Sequence, residues 1–172
     1  GSVKIWDTYI YNVLRRRNIV IAERDEVHND RRIEGAYVKQ PITGMHDWVC
    51  SFDLNSLYPH LIMQYNMSPE TIADGVVAGV DVETLLQKRK FDIPKDHCLS
   101  STGQLFRTDS HGVFPQIVEE LYNERAVTKK QAIKAMQDLE KIPKDEIHKR
   151  AQVEKKISLY TNQQWAVKIL MN

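Results

Sequence analysis

The sequence predicts an α+β chain: short strands and helices over residues 1–114, then a long antiparallel helical hairpin over 115–172. Three observations carry this expectation. The run from Val49 to Pro59 passes from apolar to polar and opens a helix. Two short apolar stretches flank a turn at Thr102-Gly103. From Pro115 onward helical periodicity is broken once, at Ile142-Pro143-Lys144-Asp145.

Taken in order, Trp6, Ile10, Val13 and Leu14 recur at helical spacing. This helix closes on Arg15-Arg16-Arg17-Asn18, where cations complement the carbonyl end. Ile19-Val20-Ile21 then reads as a strand. The charged stretch Glu23 to Arg32 reads as a surface loop, and Gly35-Ala36-Tyr37-Val38 as a strand leading to the Pro41 loop. Val49 to Asp53 reads as a buried strand ending in a carboxylate. A buried Asp is costly unless a cation or donors compensate it, so Asp53 is the leading ligand for a divalent metal that also holds phosphate. Ser56 suits an N-cap, and Pro59 is tolerated in the first helical turn. The amides at Ser56 and Leu57 would form an anion site for a triphosphate, with Tyr58 beside the sugar. Leu57, Leu61, Ile62 and Tyr65 mark the core face of this helix.

Asp81-Val82-Glu83 spells a metal-binding carboxylate pair, but Thr84-Leu85-Leu86 continues as a helix and makes Asp81 its N-cap. Cys98 to Ser101 and Gln104 to Thr108 form a small hairpin. In the last third, Ile117, Val118, Leu121, Tyr122, Ile133, Met136 and Leu139 carry the helical stripe, and Pro143 forces a reversal. Arg125 lies 18 residues before Pro143 and Lys168 lies 23 after Asp145, so at about 1.5 Å per residue both return to the open end. Arg125 and Lys129 share one face, as do Gln164, Lys168 and Asn172. Three cations and an amide converging there suit a triphosphate.

Composition excludes more than it selects. The 172 residues are 42% hydrophobic, enough for a core, and the net charge is +1. From Pro115 to the end there are 11 Lys/Arg against 8 Asp/Glu, a local balance of +3. Cys50 and Cys98 are far apart and the six His are scattered, so a zinc site or disulfide framework is not expected. No apolar run reaches the roughly 20 residues of a membrane span, so no membrane partner is expected. A reducing, cytoplasmic setting fits.

Ser51-Phe52-Asp53-Leu54-Asn55-Ser56-Leu57-Tyr58-Pro59 resembles the first polymerase motif of family-B DNA polymerases. Asn66-Met67-Ser68-Pro69-Glu70-Thr71-Ile72 is similar to the T-even-type bacteriophage members. Tyr122-Asn123-Glu124-Arg125 with Lys129 resembles the family's first fingers helix, and Lys168 to Asn172 the Lys-x-x-x-Asn that begins its second motif. The resemblance implies a partial palm over 1–114 and fingers over 115–172. It implies that Asp53 and the Leu54 carbonyl bind metal, with two Mg2+ ions in the complete enzyme. Ser56, Leu57, Arg125, Lys129, Lys168 and Asn172 would then bind the dNTP triphosphate. Tyr58 would exclude ribonucleotides, and Lys168 would assist proton transfer to pyrophosphate. Gly35 and Tyr37 fall where the family contacts template, with Ile33 in place of a usual Tyr.

The second motif breaks off at Asn172, and no Asp-Thr-Asp follows to supply a second carboxylate. The expectation is a fragment of a template-dependent DNA polymerase, inactive alone, whose partners are primer-template DNA, dNTP and a C-terminal piece with the rest of palm and thumb. A sliding clamp would bind through that piece. A designed truncation, a split gene and an intein junction all remain open as the origin of the break. The alternatives from other classes are a non-catalytic nucleic-acid-binding helical module and a purely structural helical hairpin.

Overall fold

The spacing of Trp6, Ile10, Val13 and Leu14 is realised as α1 (Ser2–Arg16), with Val13 buried. Asn18 ends it in the left-handed region (φ 55°), while Asn18 N–H reaches Arg15 O and Ile19 N–H reaches Leu14 O. This double bond pattern is a Schellman stop, and Asn tolerates the positive φ it requires. The computed structural model describes residues 2–21 and 38–171; the expected loop at 23–32 and the segment with Ile33, Gly35 and Tyr37 lie outside them.

The chain divides into two units, 1–54 and 55–172. Among the described residues of the first unit two expected strands do not form. Ile19 to Ile21 and Val49 to Asp53 are extended or irregular and exposed, with Phe52 94% exposed. A strand needs a neighbour to pair its N–H and C=O groups, and among the described residues neither segment has one.

The second unit opens with α2 (Leu57–Gln64), Pro59 buried in its first turn as expected. Leu61, Ile62 and Tyr65 are half-buried, but Leu57 is exposed. A second Schellman stop ends α2: Asn66 is left-handed (φ 51°), with Asn66 N–H on Met63 O and Met67 N–H on Ile62 O. A 3₁₀ turn (Pro69–Thr71) leads to β1 (Ile72–Val76). Then come α3 (Val82–Leu86), β2 (His97–Leu99) and β3 (Gln104–Arg107). Asp81 caps α3 in a reciprocal box with Thr84, so its carboxylate starts a helix as expected. The sheet is antiparallel in the order β1-β3-β2. The hairpin β2-β3 matches the sequence, whereas β1 does not announce itself: Asp74 and Gly75 interrupt it, and pairing with β3 makes it a strand. Gly103 in the hairpin turn is required, because φ is +83° and a Cβ would stand 2.7 Å from Val77 O.

Helices α4 (Val113–Lys141) and α5 (Ile147–Met171) pack on each other across a short turn at Pro143, giving the expected hairpin. Arg150 ties the turn by donating to Leu139 O (3.2 Å) and Ile142 O (2.8 Å). The core lies where α2 packs on the first turns of α4, with Pro59, Thr71, Pro115, Ile117 and Val118 fully buried. Further along α4 the buried stripe is Thr128, Ala132 and Ala135, while Ile133 and Met136 are exposed. The stripe is therefore one residue earlier than the large apolar side chains suggest, because small residues permit the close approach of the two helices.

The start of α4 has no cap of its own, since Gly112 precedes it. The 3₁₀ segment supplies one: Val113 N–H donates to Glu70 Oε1 (2.6 Å), Phe114 N–H to Ser68 Oγ (3.2 Å), and Ser68 Oγ donates to Glu70 Oε2 (2.7 Å). Partial burial pushes the Glu70 carboxyl up, but the hydrogen bonds from Val113 N–H and Ser68 Oγ outweigh it and hold its pKa below the ordinary value. A depressed carboxylate stabilises the fold above its unfolded pKa and loses that contribution as pH falls through the folded value. Glu70→Gln is expected to cost about 1 kcal/mol at neutral pH, as loss of a helix cap does, and nothing at a pH low enough to protonate the native carboxyl. Urea melts of the two proteins at pH 7 and in acid check this; equal differences at both pH values would refute the ionised cap.

Candidate functional site

On α4 the residues Tyr122, Arg125, Ala126, Lys129, Lys130 and Ile133 recur every three or four positions and so form one stripe. With Asn55, from the turn before α2, this stripe lines an open cleft of about 330 Å³. Three of the lining residues are cations and none is a carboxylate. Among the described residues Lys129 and Lys130 make no ion pair, and the buried Nε of Arg125 has no hydrogen-bond partner. A buried donor left unpaired is costly, and an anion in the cleft is what would relieve it. Arg offers a planar fork to phosphate oxygens, and the lysines act as point charges.

The turn from Asn55 into α2 departs from the expected N-cap. Ser56 occupies the position but is left-handed (φ 53°, ψ 49°) and its hydroxyl caps nothing. That hydroxyl donates to Asn55 Oδ1 (3.3 Å) instead. The Ser56 carbonyl accepts both the backbone N–H of His60 (3.1 Å) and its Nδ1 (2.8 Å). The His60 ring then meets Tyr122 edge-on, with centroids 5.0 Å apart. Leu57 and Tyr58 at the start of α2 are exposed, Tyr58 by 64%.

The structure thus brings Arg125 and Lys129 together as their spacing implies. Lys168 is not among the residues lining this cleft; its ammonium lies over the Trp165 ring, 4.7 Å from the centroid. Asn172 lies outside the described residues. Asp53 and Leu54 belong to the first unit and are exposed, so the burial argument that singled out Asp53 does not hold here. Among the described residues no three His, Cys, Asp or Glu side chains gather where they could hold a metal ion. Sequence reasoning missed Asn55, Lys130 and His60. Lys130 was legible from the α4 spacing, whereas Asn55 and His60 join the site only through the packing of α2 on α4.

The sequence model of DNA polymerase family B matches residues 2–172. The chain belongs to DNA polymerase family B. It is 35% identical over 150 residues to the DNA-directed DNA polymerase of Escherichia phage RB69, covering 86% of this chain and 16% of that protein. To the DNA-directed DNA polymerase of Enterobacteria phage T4 it is 29% identical over 147 residues, 84% of this chain and 16% of that protein. The chain therefore spans about one sixth of the length of these family-B relatives. Among solved structures, the family B DNA polymerase of Pyrobaculum calidifontis is similar with a TM-score of 0.42 and 22% identity, over 67% of this chain and 12% of that one. Among the described residues no helix is long and apolar enough to cross a membrane.

Proposed function

We propose that this chain is the triphosphate-binding part of a template-dependent DNA polymerase, comprising part of its palm and its fingers hairpin. The reaction is attack of a primer 3′-hydroxyl on the α-phosphate of a dNTP, with release of pyrophosphate. The observation that carries this reading is the cleft on α4, lined by Arg125, Lys129 and Lys130 with no acid among its lining residues, where the buried Nε of Arg125 has no hydrogen-bond partner.

In this reading Arg125 grips triphosphate oxygens in a fork, and Lys129 with Lys130 neutralises the remaining charge. The amides of Ser56 and Leu57 reach the same phosphates from the start of α2. Tyr58 stands against the sugar and excludes the 2′-hydroxyl. Lys168, whose Nζ lies over the Trp165 ring, gives a proton to the departing pyrophosphate, and Asn172 contributes its side-chain amide to triphosphate binding.

The exposed Asp53 carboxylate, three residues before Ser56, is free of hydrogen bonds among the described residues and is a suitable hard ligand for Mg2+, with the Leu54 carbonyl beside it. Mg2+ is commonly held by one or two carboxylates plus substrate phosphates. Bound Mg2+ would stabilise charge on the attacking and leaving oxygens. The remaining carboxylates, the thumb and contacts to primer-template DNA come from other parts of the polymerase.

Primer extension tests this. The chain, combined with a family-B piece that carries the remaining palm carboxylates, is expected to extend a primer with Mg2+ and dNTPs, while neither piece does so alone. Asp53→Ala is expected to lower that rate by at least about 10²-fold with the circular dichroism spectrum unchanged. Full activity of Asp53→Ala would refute the metal assignment. Salt-sensitive DNA binding with no metal-dependent extension would favour a nucleic-acid-binding module.

A further inference from the structure

Ser56 is a non-glycine residue in the left-handed region, a conformation that L-residues adopt at a cost and that persists only where neighbours enforce it. Its own side chain does not enforce it. The Ser56 carbonyl is instead bonded by His60, one turn into α2: its backbone N–H makes the ordinary first helical bond, and its ring Nδ1 adds a second bond to the same oxygen. A carbonyl oxygen only accepts, so the ring proton must sit on Nδ1 and leave Nε2 bare in the neutral form. The same ring abuts Tyr122, and Tyr122 lines the cationic cleft beside Arg125. His60 therefore touches both walls of the cleft, the 55–57 turn on one side and α4 on the other, without lining it.

We propose that His60 is a positioning residue that locks the Ser56 turn and sets its amides at a fixed place relative to Arg125 and Lys129. This rests on the triphosphate reading of the cleft and assigns a residue to its preorganisation. Sites assembled on two elements bind well only if the elements are held in register, and a ring that bonds the turn and packs edge-on against a helix residue ties the two together.

Two variants separate the two contacts. His60→Phe keeps a ring against Tyr122 and removes the donor. His60→Asn keeps an amide donor near the place of Nδ1. Long-range proton–nitrogen NMR of the parent chain at pH 8 is expected to find the Nδ1–H tautomer. Calorimetric titration with inorganic tripolyphosphate is expected to find His60→Phe about tenfold weaker than the parent and His60→Asn within about threefold, the difference that one enforced hydrogen bond makes. An Nε2–H tautomer, or parent-like affinity in His60→Phe, overturns the proposal. If the parent chain itself ignores tripolyphosphate, the triphosphate reading fails instead, and the tautomer alone decides whether His60 locks the turn.

Discussion

Asn66→Ala is expected to lower stability by about 3 kcal/mol or more, the largest loss from any polar side chain in the second unit. Asn66 is buried, and its amide group joins segments more than 40 residues apart. Nδ2 donates to Arg107 O (2.6 Å) and Ser110 O (2.8 Å), and Oδ1 accepts from the buried Gly112 N–H (2.8 Å). Its carbonyl also accepts the Thr71 hydroxyl (2.5 Å). Alanine would leave the Gly112 N–H without its partner, and each such group costs about 1–3 kcal/mol. It would also put a Cβ-bearing residue without Asn's tolerance into the left-handed stop of α2. Asn66→Gly relieves the second penalty but not the first, so it should recover about 1 kcal/mol. Asn66→Asp keeps the acceptor but turns a carboxylate onto two carbonyl oxygens, and it should be as damaging as alanine. Urea denaturation of the three variants checks the order; a loss below about 1 kcal/mol in Asn66→Ala would show that this junction does not bear on the fold.

The second large effect is on binding. Arg125→Ala is expected to weaken tripolyphosphate binding by about 10- to 100-fold, since hydrogen bonds to charged groups contribute about 1.5–3 kcal/mol. Arg125→Lys should restore only part of this, because a single ammonium cannot reproduce the fork or use the buried Nε position. The fold should tolerate both changes, since Arg125 makes no hydrogen bond or ion pair among the described residues. Raising salt should weaken the parent more than Arg125→Ala, which has one cation fewer. Unchanged affinity in Arg125→Ala, measured by calorimetry beside a circular dichroism control, would remove the cleft from any account of triphosphate binding.

These two residues also mark how far the sequence could be read. Arg125 and Lys129 were legible because a helix has a fixed period, so residues four apart share a face wherever that helix lies. Asp81 as a cap, the Gly103 hairpin turn and the reversal at Pro143 were legible for the same reason: each is a local backbone preference. Asn66 was not. Its position within the 66–72 segment signalled family likeness, but its partners lie at 107, 110 and 112, and no local pattern points to them. The strand expected at Val49 to Asp53 failed for the converse reason. Its apolar residues suit a strand, yet strand formation depends on a partner that no run of five residues specifies.

By itself the sequence determined the helical hairpin, the small β-hairpin, the cationic face of α4 and membership of DNA polymerase family B. All of these rest on periodicity, turn chemistry or motif spacing, which are properties of near neighbours along the chain. Only the tertiary structure decided that Glu70 and Ser68 cap α4, that β1 joins the sheet, and that Asn55 and His60 meet the α4 cleft through the left-handed Ser56 turn. Those arrangements depend on burial and on hydrogen bonds between distant segments, and their partners become defined only when α2 has packed on α4.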